Sequence, residues 1–173
     1  MYFKTIYVTV GTTKFDELIN EVVSARCLHA LQRRGCQKLV IQHGYGRPVQ
    51  NVNHIRQVYG ITLEQYDFKL ETPRTDILDA DLIIGHAGAG TCMDILNHSR
   101  PGIIVVNDRL MDNHQKELAQ ELSKEGYVFY SNVEGLAKIV EQADVTKLQA
   151  YEKRNNIPHF VNYLNEMMIA SYF

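Results

Sequence analysis

Two glycine-bearing segments carry the residues whose types and spacing could do chemistry. The first is the turn Gly11, Thr12 and Thr13; the second runs Gly85, His86, Ala87, Gly88, Ala89, Gly90 and Thr91. Small residues let backbone N–H groups converge on an anion, and a helix that starts there adds the positive end of its dipole. The pattern predicts a site for the diphosphate of a nucleotide-type ligand. The alternative is that these glycines only allow a helix to pack tightly on a strand.

Three side chains in or after the second segment have two interpretations each. Asp94 would project from the first turn of the next helix, at a distance suited to ribose hydroxyls, or be an ordinary acidic residue favoured by the helix dipole. His86 could contact a phosphate or a sugar, or it could cap the turn. Cys92 could be a thiolate at a helix N-terminus, but a buried cysteine packed under the turn is favoured.

A third segment, residues 107–115 (NDRLMDNHQ), is rich in side chains that hydrogen-bond to hydroxyls and amides. Such side chains are typical of sugar recognition, and Asn113, His114 and Gln115 are the candidates. The alternative is a solvated loop with Asn113 as a helix N-cap, which is compatible with binding by His114 and Gln115.

More specific nucleotide and hydrolase motifs are missing from the second segment. Residues 88–93 read G-x-G-x-x-M, so the dinucleotide fingerprint lacks its third glycine, and the chain contains no Walker A sequence. No serine stands in the segment to form a nucleophile elbow. Hydride transfer and ATP hydrolysis therefore lose support.

Length and composition fit one ordinary domain. The chain has 173 residues, 45% of them hydrophobic, and a formal net charge of -2, so the basic excess of a nucleic-acid-binding surface is missing. Three cysteines without a CxxC pair indicate free thiols in a reducing compartment. No apolar run approaches the roughly 18 to 20 residues needed to span a bilayer, so any membrane association must come through a partner or a surface face.

The elements that must position these residues alternate along the chain. Strands are predicted at 6–10, 38–42, 61–68, 82–85, 103–106 and 127–130, and helices at 14–34, 72–80, 91–97, 113–124, 134–143 and 158–171. Residues 43–60 are predicted to be a loop with at most one irregular helical turn. This order predicts an α/β domain with a Rossmann-like, doubly wound parallel sheet. Both glycine segments follow strands, where such folds bind ligands.

Three segments together carry a family resemblance: VTVGTTKFDELI at 8–19, GHAGAGTCMDIL at 85–96 and RPGIIVVNDRLMDNHQKELAQEL at 100–122. In this order, over about residues 5–130, they resemble the catalytic subunit of the eukaryotic UDP-N-acetylglucosamine transferase of the dolichol pathway. That subunit is similar to the C-terminal, donor-binding half of GT-B glycosyltransferases of family 28 type. The resemblance implies one such domain over 1–173, with a core at 5–145 and a C-terminal helix at about 157–171.

The resemblance implies transfer of N-acetylglucosamine (GlcNAc) from UDP-GlcNAc to dolichyl-diphosphate-GlcNAc, with inversion to a β1,4 linkage, in N-glycosylation. Residues 11–13 would line the cleft near the donor diphosphate and sugar, and His86 to Thr91 would bind the diphosphate. Asp94 would hold the ribose, and Asn113, His114 and Gln115 would contact the GlcNAc. No cofactor or metal is expected. Asp79 and Asp81 have the spacing of a metal motif but stand at the start of a strand, away from the cleft.

One domain is half of a GT-B enzyme, so the acceptor half must lie elsewhere. In the family it is a membrane-anchored protein that recruits the cytoplasmic subunit to the cytosolic face of the endoplasmic reticulum. The general base would lie on that partner or at the interface. The apolar face of the C-terminal helix either covers the sheet or docks on the partner; its residues are Phe160, Val161, Leu164, Met167 and Met168. The alternative functions are a non-catalytic nucleotide-sugar-binding regulatory module and a phosphosugar isomerase or epimerase.

Overall fold

Six parallel strands form one sheet within residues 2–69, 74–107 and 113–151, the part of the chain that this computed structural model describes. The spatial order of the strands is β3-β2-β1-β4-β5-β6. Their bounds are β1 Thr5–Thr9, β2 Lys38–Gln42, β3 Thr62–Tyr66, β4 Leu82–His86, β5 Gly102–Val106 and β6 Phe129–Asn132. The Rossmann-like, doubly wound parallel sheet predicted from the sequence is confirmed.

Helices cover both faces of the sheet. Their bounds are α1 Asp16–Val22, α2 Ala25–Arg33, α3 Val52–Tyr59, α4 Arg74–Asp79, α5 Ala89–Asn97, α6 Asn113–Lys124 and α7 Leu136–Gln142. One hydrophobic cluster packs α1, α2, α3 and α7 against the first face, and a second packs α4, α5 and α6 against the other. Because both faces are covered, every residue of β4 and of β5 is buried, which explains their continuous apolar runs.

The strand order creates a crevice between β1 and β4. The chain builds β1, β2 and β3 outward in one direction and then returns, so that β4 pairs with β1 on its other side. The helices that follow β1 and β4 therefore pack on opposite faces of the sheet, and the turns leading into them diverge. Ligands of doubly wound folds bind at such a switch point, beyond the carboxyl ends of the strands.

Two sequence-based expectations for the first half of the chain are wrong. The helix predicted over 14–34 is two helices, because Ser24 interrupts it and its Oγ accepts a hydrogen bond from Cys27 N–H as the N-cap of α2. Apolar residues continue across the interruption, so their spacing did not reveal it. The loop predicted over 43–60 contains α3. Only Ile55 of that helix is buried, so its sequence lacks the regularly spaced apolar residues from which a helix is predicted.

Other boundaries shift by a few residues. Strand β6 begins two residues later than predicted, at Phe129, and α5 begins two residues earlier, at Ala89. The predicted C-terminal helix, with its apolar face from Phe160 to Met168, lies outside the described residues. Among the helices that are described, none combines the length and apolarity that crossing a bilayer requires.

Candidate functional site

A cleft of about 510 Å³ opens at the carboxyl edge of the sheet between β1 and β4. Most of the residues singled out in the sequence line it, namely Gly11, Thr12, Thr13, His86, Gly88, Ala89, Gly90, Thr91, Asp94 and Gln115. Ala87 is completely buried beneath the turn and does not line the cleft. Asn113 and His114 are the first two residues of α6, and their side chains lie outside the described part.

The N-terminus of α5 forms one wall of the cleft. Gly88 is its N-cap, with φ -76° and ψ 140°, and no side chain caps the helix. The first turn contains no acidic residue, and the helical hydrogen bonds start with Cys92 N–H to Gly88 O at 3.0 Å. The N–H groups of residues 88–91, which precede Cys92, therefore have no acceptor within the helix. The helix dipole favours negative charge at this end. This arrangement can bind an anion such as a phosphate group.

The glycines around this helix differ in how much space surrounds them. A Cβ atom on Gly85 would lie 2.5 Å from Thr91 Cγ2, and one on Gly88 would lie 2.2 Å from His86 Nε2. A Cβ on Gly11 would lie 3.0 Å from His86 Cε1, and Gly11 also has a φ of +57°. Tight packing therefore explains these three glycines. Around Gly90 no atom lies within 4 Å of an added Cβ, so packing does not explain it.

His86 lies between the two glycine turns. Its side chain is 7% exposed, and Nδ1 lies 3.3 Å from the Thr91 hydroxyl. Burial lowers the pKa of His86 to about 4, although a hydrogen bond to the Thr9 backbone raises it slightly. The imidazole is therefore neutral at pH 7. The ring contacts Thr91 after β4 and the backbone of Thr9 at the end of β1, and it also lines the cleft.

In the turn after β1, Gly11 and Thr13 use their donors within the protein. Gly11 N–H donates to Thr9 Oγ1 at 3.0 Å, and both the N–H and the hydroxyl of Thr13 donate to Val10 O. Thr13 O in turn accepts from Tyr45 N–H at 3.2 Å, so the loop after β2 packs against this turn. Of the three residues of this turn, two therefore have their donors bonded within the fold, and Thr12 between them lines the cleft.

Several residues of the cleft were not singled out in the sequence. Three isoleucines from α4, β4 and α5 give it an apolar floor, and polar side chains come from the first two strands; the full set is Ile77, Ile83, Ile95, Tyr7, Thr9 and Gln42. Thr9 and Gln42 are the last residues of β1 and β2. That position, at the carboxyl end of a central parallel strand, was a usable signal for both residues.

Three further sequence interpretations concern cysteines and carboxylates. Cys92 is completely buried under the turn, and burial raises the pKa of its thiol to about 12, so the packing interpretation is confirmed. Asp94 is exposed on α5 and lines the cleft. Asp81 accepts hydrogen bonds from Lys4 N–H and Thr5 N–H at the amino end of β1, away from the cleft as expected.

Comparison with known proteins agrees with this geometry. The model of the family named "Glycosyltransferase family 28 C-terminal domain" matches residues 5–167. The chain belongs to this family. A relative from Mus musculus, "UDP-N-acetylglucosamine transferase subunit ALG13", is 44% identical over 127 residues, which are 73% of this chain and 10% of that protein. The Candida albicans protein of the same name is 32% identical, over 95% of this chain and 66% of its own length.

Solved structures show the same fold. The NMR structure of ALG13 superposes with a TM-score of 0.70 at 27% identity, covering 94% of this chain and 96% of that one. The crystal structure of Acinetobacter baumannii MurG superposes with a TM-score of 0.62 at 18% identity, covering 95% of this chain and 49% of that one. The second likeness concerns the fold alone: this domain corresponds to about half of that protein. The chain likewise spans only about a tenth of the mouse relative's length.

Proposed function

We propose that this chain is the donor-binding, catalytic subunit of a heteromeric transferase that moves GlcNAc from UDP-GlcNAc to dolichyl-diphosphate-GlcNAc. The reaction inverts the anomeric centre and forms a β1,4 linkage. The observation that carries the proposal is the uncapped N-terminus of α5, with Gly90 open to the cleft, in a family-28 C-terminal domain. The relatives named as UDP-N-acetylglucosamine transferase subunits support the choice of donor.

The leaving group of this reaction is UDP, whose diphosphate gains negative charge as the bond to the sugar breaks. Free N–H groups at the start of α5, together with the helix dipole, would stabilise that charge. Asp94, one turn further along the helix, would accept hydrogen bonds from the ribose hydroxyls. Gln115, with Asn113 and His114 beside it at the start of α6, would contact the GlcNAc. Donor binding in this scheme needs no metal ion.

The acceptor hydroxyl must lose a proton as it attacks the sugar, and we assign this base to no residue of the chain. His86 lines the cleft, but a pKa of about 4 makes it a poor proton acceptor near neutral pH. The base is better placed on a partner that carries the acceptor-binding domain. The word "subunit" in the names of the relatives supports such a partner, which would hold this chain at the cytosolic face of the endoplasmic reticulum.

The proposal is tested in two steps with the full chain. Isothermal titration with UDP-GlcNAc measures donor binding, and we expect saturation at one site, with UDP as a competitor. Transfer is then measured with dolichyl-diphosphate-GlcNAc, with and without the membrane-anchored partner, and product is expected only when both proteins are present. The control for both steps is Asp81→Asn, a substitution at the opposite edge of the sheet and away from the cleft.

Each outcome of these measurements discriminates between the candidate functions. Donor binding without transfer, even with the partner, would favour a non-catalytic nucleotide-sugar-binding module. Absence of donor binding both alone and with the partner would reject both that module and the transferase. Transfer by the isolated chain would contradict the assignment of the base to the partner.

A further inference from the structure

Gln42, the last residue of β2, has one end of its carboxamide fixed by the protein. Its Oε1 accepts hydrogen bonds from the Thr9 hydroxyl at 2.6 Å and from the Tyr7 hydroxyl at 3.0 Å. Thr9 Oγ1 also accepts from Gly11 N–H, so its own proton is available for Gln42. Two donors thus meet at one atom, which identifies that atom as the amide oxygen and the other as the amino nitrogen.

The hydroxyls that fix Gln42 are themselves held in place. Tyr66 Oη lies 3.2 Å from Tyr7 Oη and donates to Asp76 Oδ2 at 2.7 Å. Lys69 Nζ donates to the same Asp76 oxygen at 2.5 Å. Burial raises the pKa of Tyr7 to about 12, so its hydroxyl remains a donor throughout the neutral range. Side chains from three neighbouring strands and α4 therefore fix the orientation of the carboxamide.

The amino group of Gln42 has no acceptor within the described part of the protein, although the side chain is only 8% exposed. Buried N–H donors are nearly always paired, because leaving one without a partner is costly. Nε2 is not sealed off from solvent, and Gln42 lines the cleft. A molecule that fills the cleft would displace solvent from Nε2, and an acceptor on that molecule would then have to replace it.

We propose that Gln42 is a specificity-determining residue that donates a hydrogen bond through Nε2 to an oxygen in the UDP portion of the bound nucleotide sugar. This inference rests on the proposed function, since it takes the nucleotide sugar as the ligand of the cleft. The uracil ring, the ribose and the diphosphate all carry such oxygens, and they share the chemistry that an amide N–H recognises. Because Thr9 and Tyr7 hold the carboxamide of Gln42 in place, the side chain cannot rotate to present its oxygen to the cleft. The site therefore selects ligands that accept a hydrogen bond at this position.

Two variants of the full chain test the role of Nε2. Gln42→Glu keeps an oxygen for Thr9 and Tyr7 but replaces the donor with a second acceptor, and Gln42→Met removes the donor at similar size. Isothermal titration with UDP should show Kd rising about tenfold for Gln42→Met, from loss of one hydrogen bond, and about a hundredfold for Gln42→Glu, which adds repulsion between oxygens. Circular dichroism confirms that each variant is folded, and Gln42→Met decides the matter if Gln42→Glu does not fold.

Gln65→Glu is the matched control on the neighbouring strand β3. Both ends of the Gln65 carboxamide are used within the fold, since Oε1 accepts from Val49 N–H at 2.7 Å and Nε2 donates to Val49 O at 3.1 Å. This variant should lower the melting temperature and leave the Kd for UDP unchanged. An unchanged Kd in the folded Gln42 variants overturns the inference while the proposed function stands. Failure of the unsubstituted chain to bind UDP or UDP-GlcNAc rejects both.

Nucleotide analogues then locate the accepting oxygen. CDP carries an amino group where UDP has O4, so a much smaller loss for CDP than for UDP in Gln42→Glu places the contact on the base. A smaller loss for 2′-deoxy-UDP places it on the ribose. Equal losses for all three nucleotides exclude O4 of the base and the 2′-hydroxyl and leave the oxygens that the three nucleotides share, which include those of the diphosphate.

Discussion

The two glycine turns of the cleft look alike in sequence, yet they differ in what they offer a ligand. In the turn after β1, Gly11 and Thr13 donate to Thr9 and Val10, and the helix that follows has Asp16 and Glu17 in its first turn. The turn after β4 leads directly into α5, whose N-terminus has neither a side-chain cap nor an acidic residue in its first turn. The second turn therefore offers more N–H groups to an anion than the first, and the acidic residues after the first turn disfavour an anion there.

The glycines of the second turn differ among themselves in the same way. Gly85 and Gly88 make room for Thr91 and His86, whereas Gly90 adjoins open space. A glycine needed for packing and a glycine needed for access to the backbone respond differently to substitution, because the first affects folding and the second affects binding. Of four predictions, in order of expected effect, three use this difference and one concerns the histidine between the two turns.

Gly90→Asp should weaken UDP binding about a thousandfold, or about 4 kcal/mol, because a carboxylate would stand among the N–H groups proposed to hold the diphosphate. The fold should tolerate it, since nothing lies within 4 Å of the added Cβ. Isothermal titration and thermal unfolding measure the two effects. Gly60→Asn is the control: Gly60 also adjoins open space, and asparagine tolerates its φ of +71°. Unchanged affinity in Gly90→Asp would mean that phosphate does not bind at α5.

Acidification should destabilise the protein through His86, which joins the two turns. Because burial lowers its pKa to about 4, the unfolded chain binds a proton below about pH 6.5 that the folded protein does not accept until about pH 4. Stability contributed by the neutral imidazole is complete above pH 6.5 and falls by about 3 kcal/mol as the pH drops to 4. Urea unfolding across this range should show a steeper loss for the unsubstituted chain than for His86→Gln. Equal slopes would contradict a buried neutral imidazole.

Gly88→Ala should lower the free energy of unfolding by about 2 kcal/mol, because the new Cβ would lie 2.2 Å from His86 Nε2. Urea unfolding measures the loss. In a His86→Ala background the same substitution should cost much less, since the clashing ring is gone. Additive costs in the double variant would show that the clash is not the reason for Gly88.

Gly90→Ala should raise the free energy of unfolding by about 0.5 kcal/mol, the smallest of these effects. Alanine is a better helix former than glycine, and Gly90 lies in the first turn of α5 with space around it. Thermal unfolding of Gly90→Ala and Gly88→Ala, measured side by side, should show changes in stability of opposite sign at positions two residues apart. A lower stability in Gly90→Ala would show that this position is packed after all.

Sequence patterns predicted the sheet because buried parallel strands are apolar on both faces, and β4 and β5 are buried throughout. The same patterns did not predict α3, because Ile55 is its only buried residue. They also predicted one helix where there are two, because the apolar spacing continues past Ser24, whose hydroxyl caps the second helix. The candidate site was largely predictable for the same reason as the sheet: glycine turns after buried strands are local features. Gln42 was missed because its chemistry depends on Thr9 and Tyr7, which are distant in sequence.

By itself, therefore, the sequence determined the fold class, the two turns and most residues that line the cleft, since strand periodicity and glycine position are properties of short segments. Tertiary structure decided which turn has free donors, because that depends on where each N–H finds an acceptor. It also decided that His86 is neutral and that three of the glycines around it are needed for packing, because burial and contact arise only when β1 and β4 lie side by side. Within the turn after β4, Gly90 is the glycine that packing does not require, and it lines the cleft.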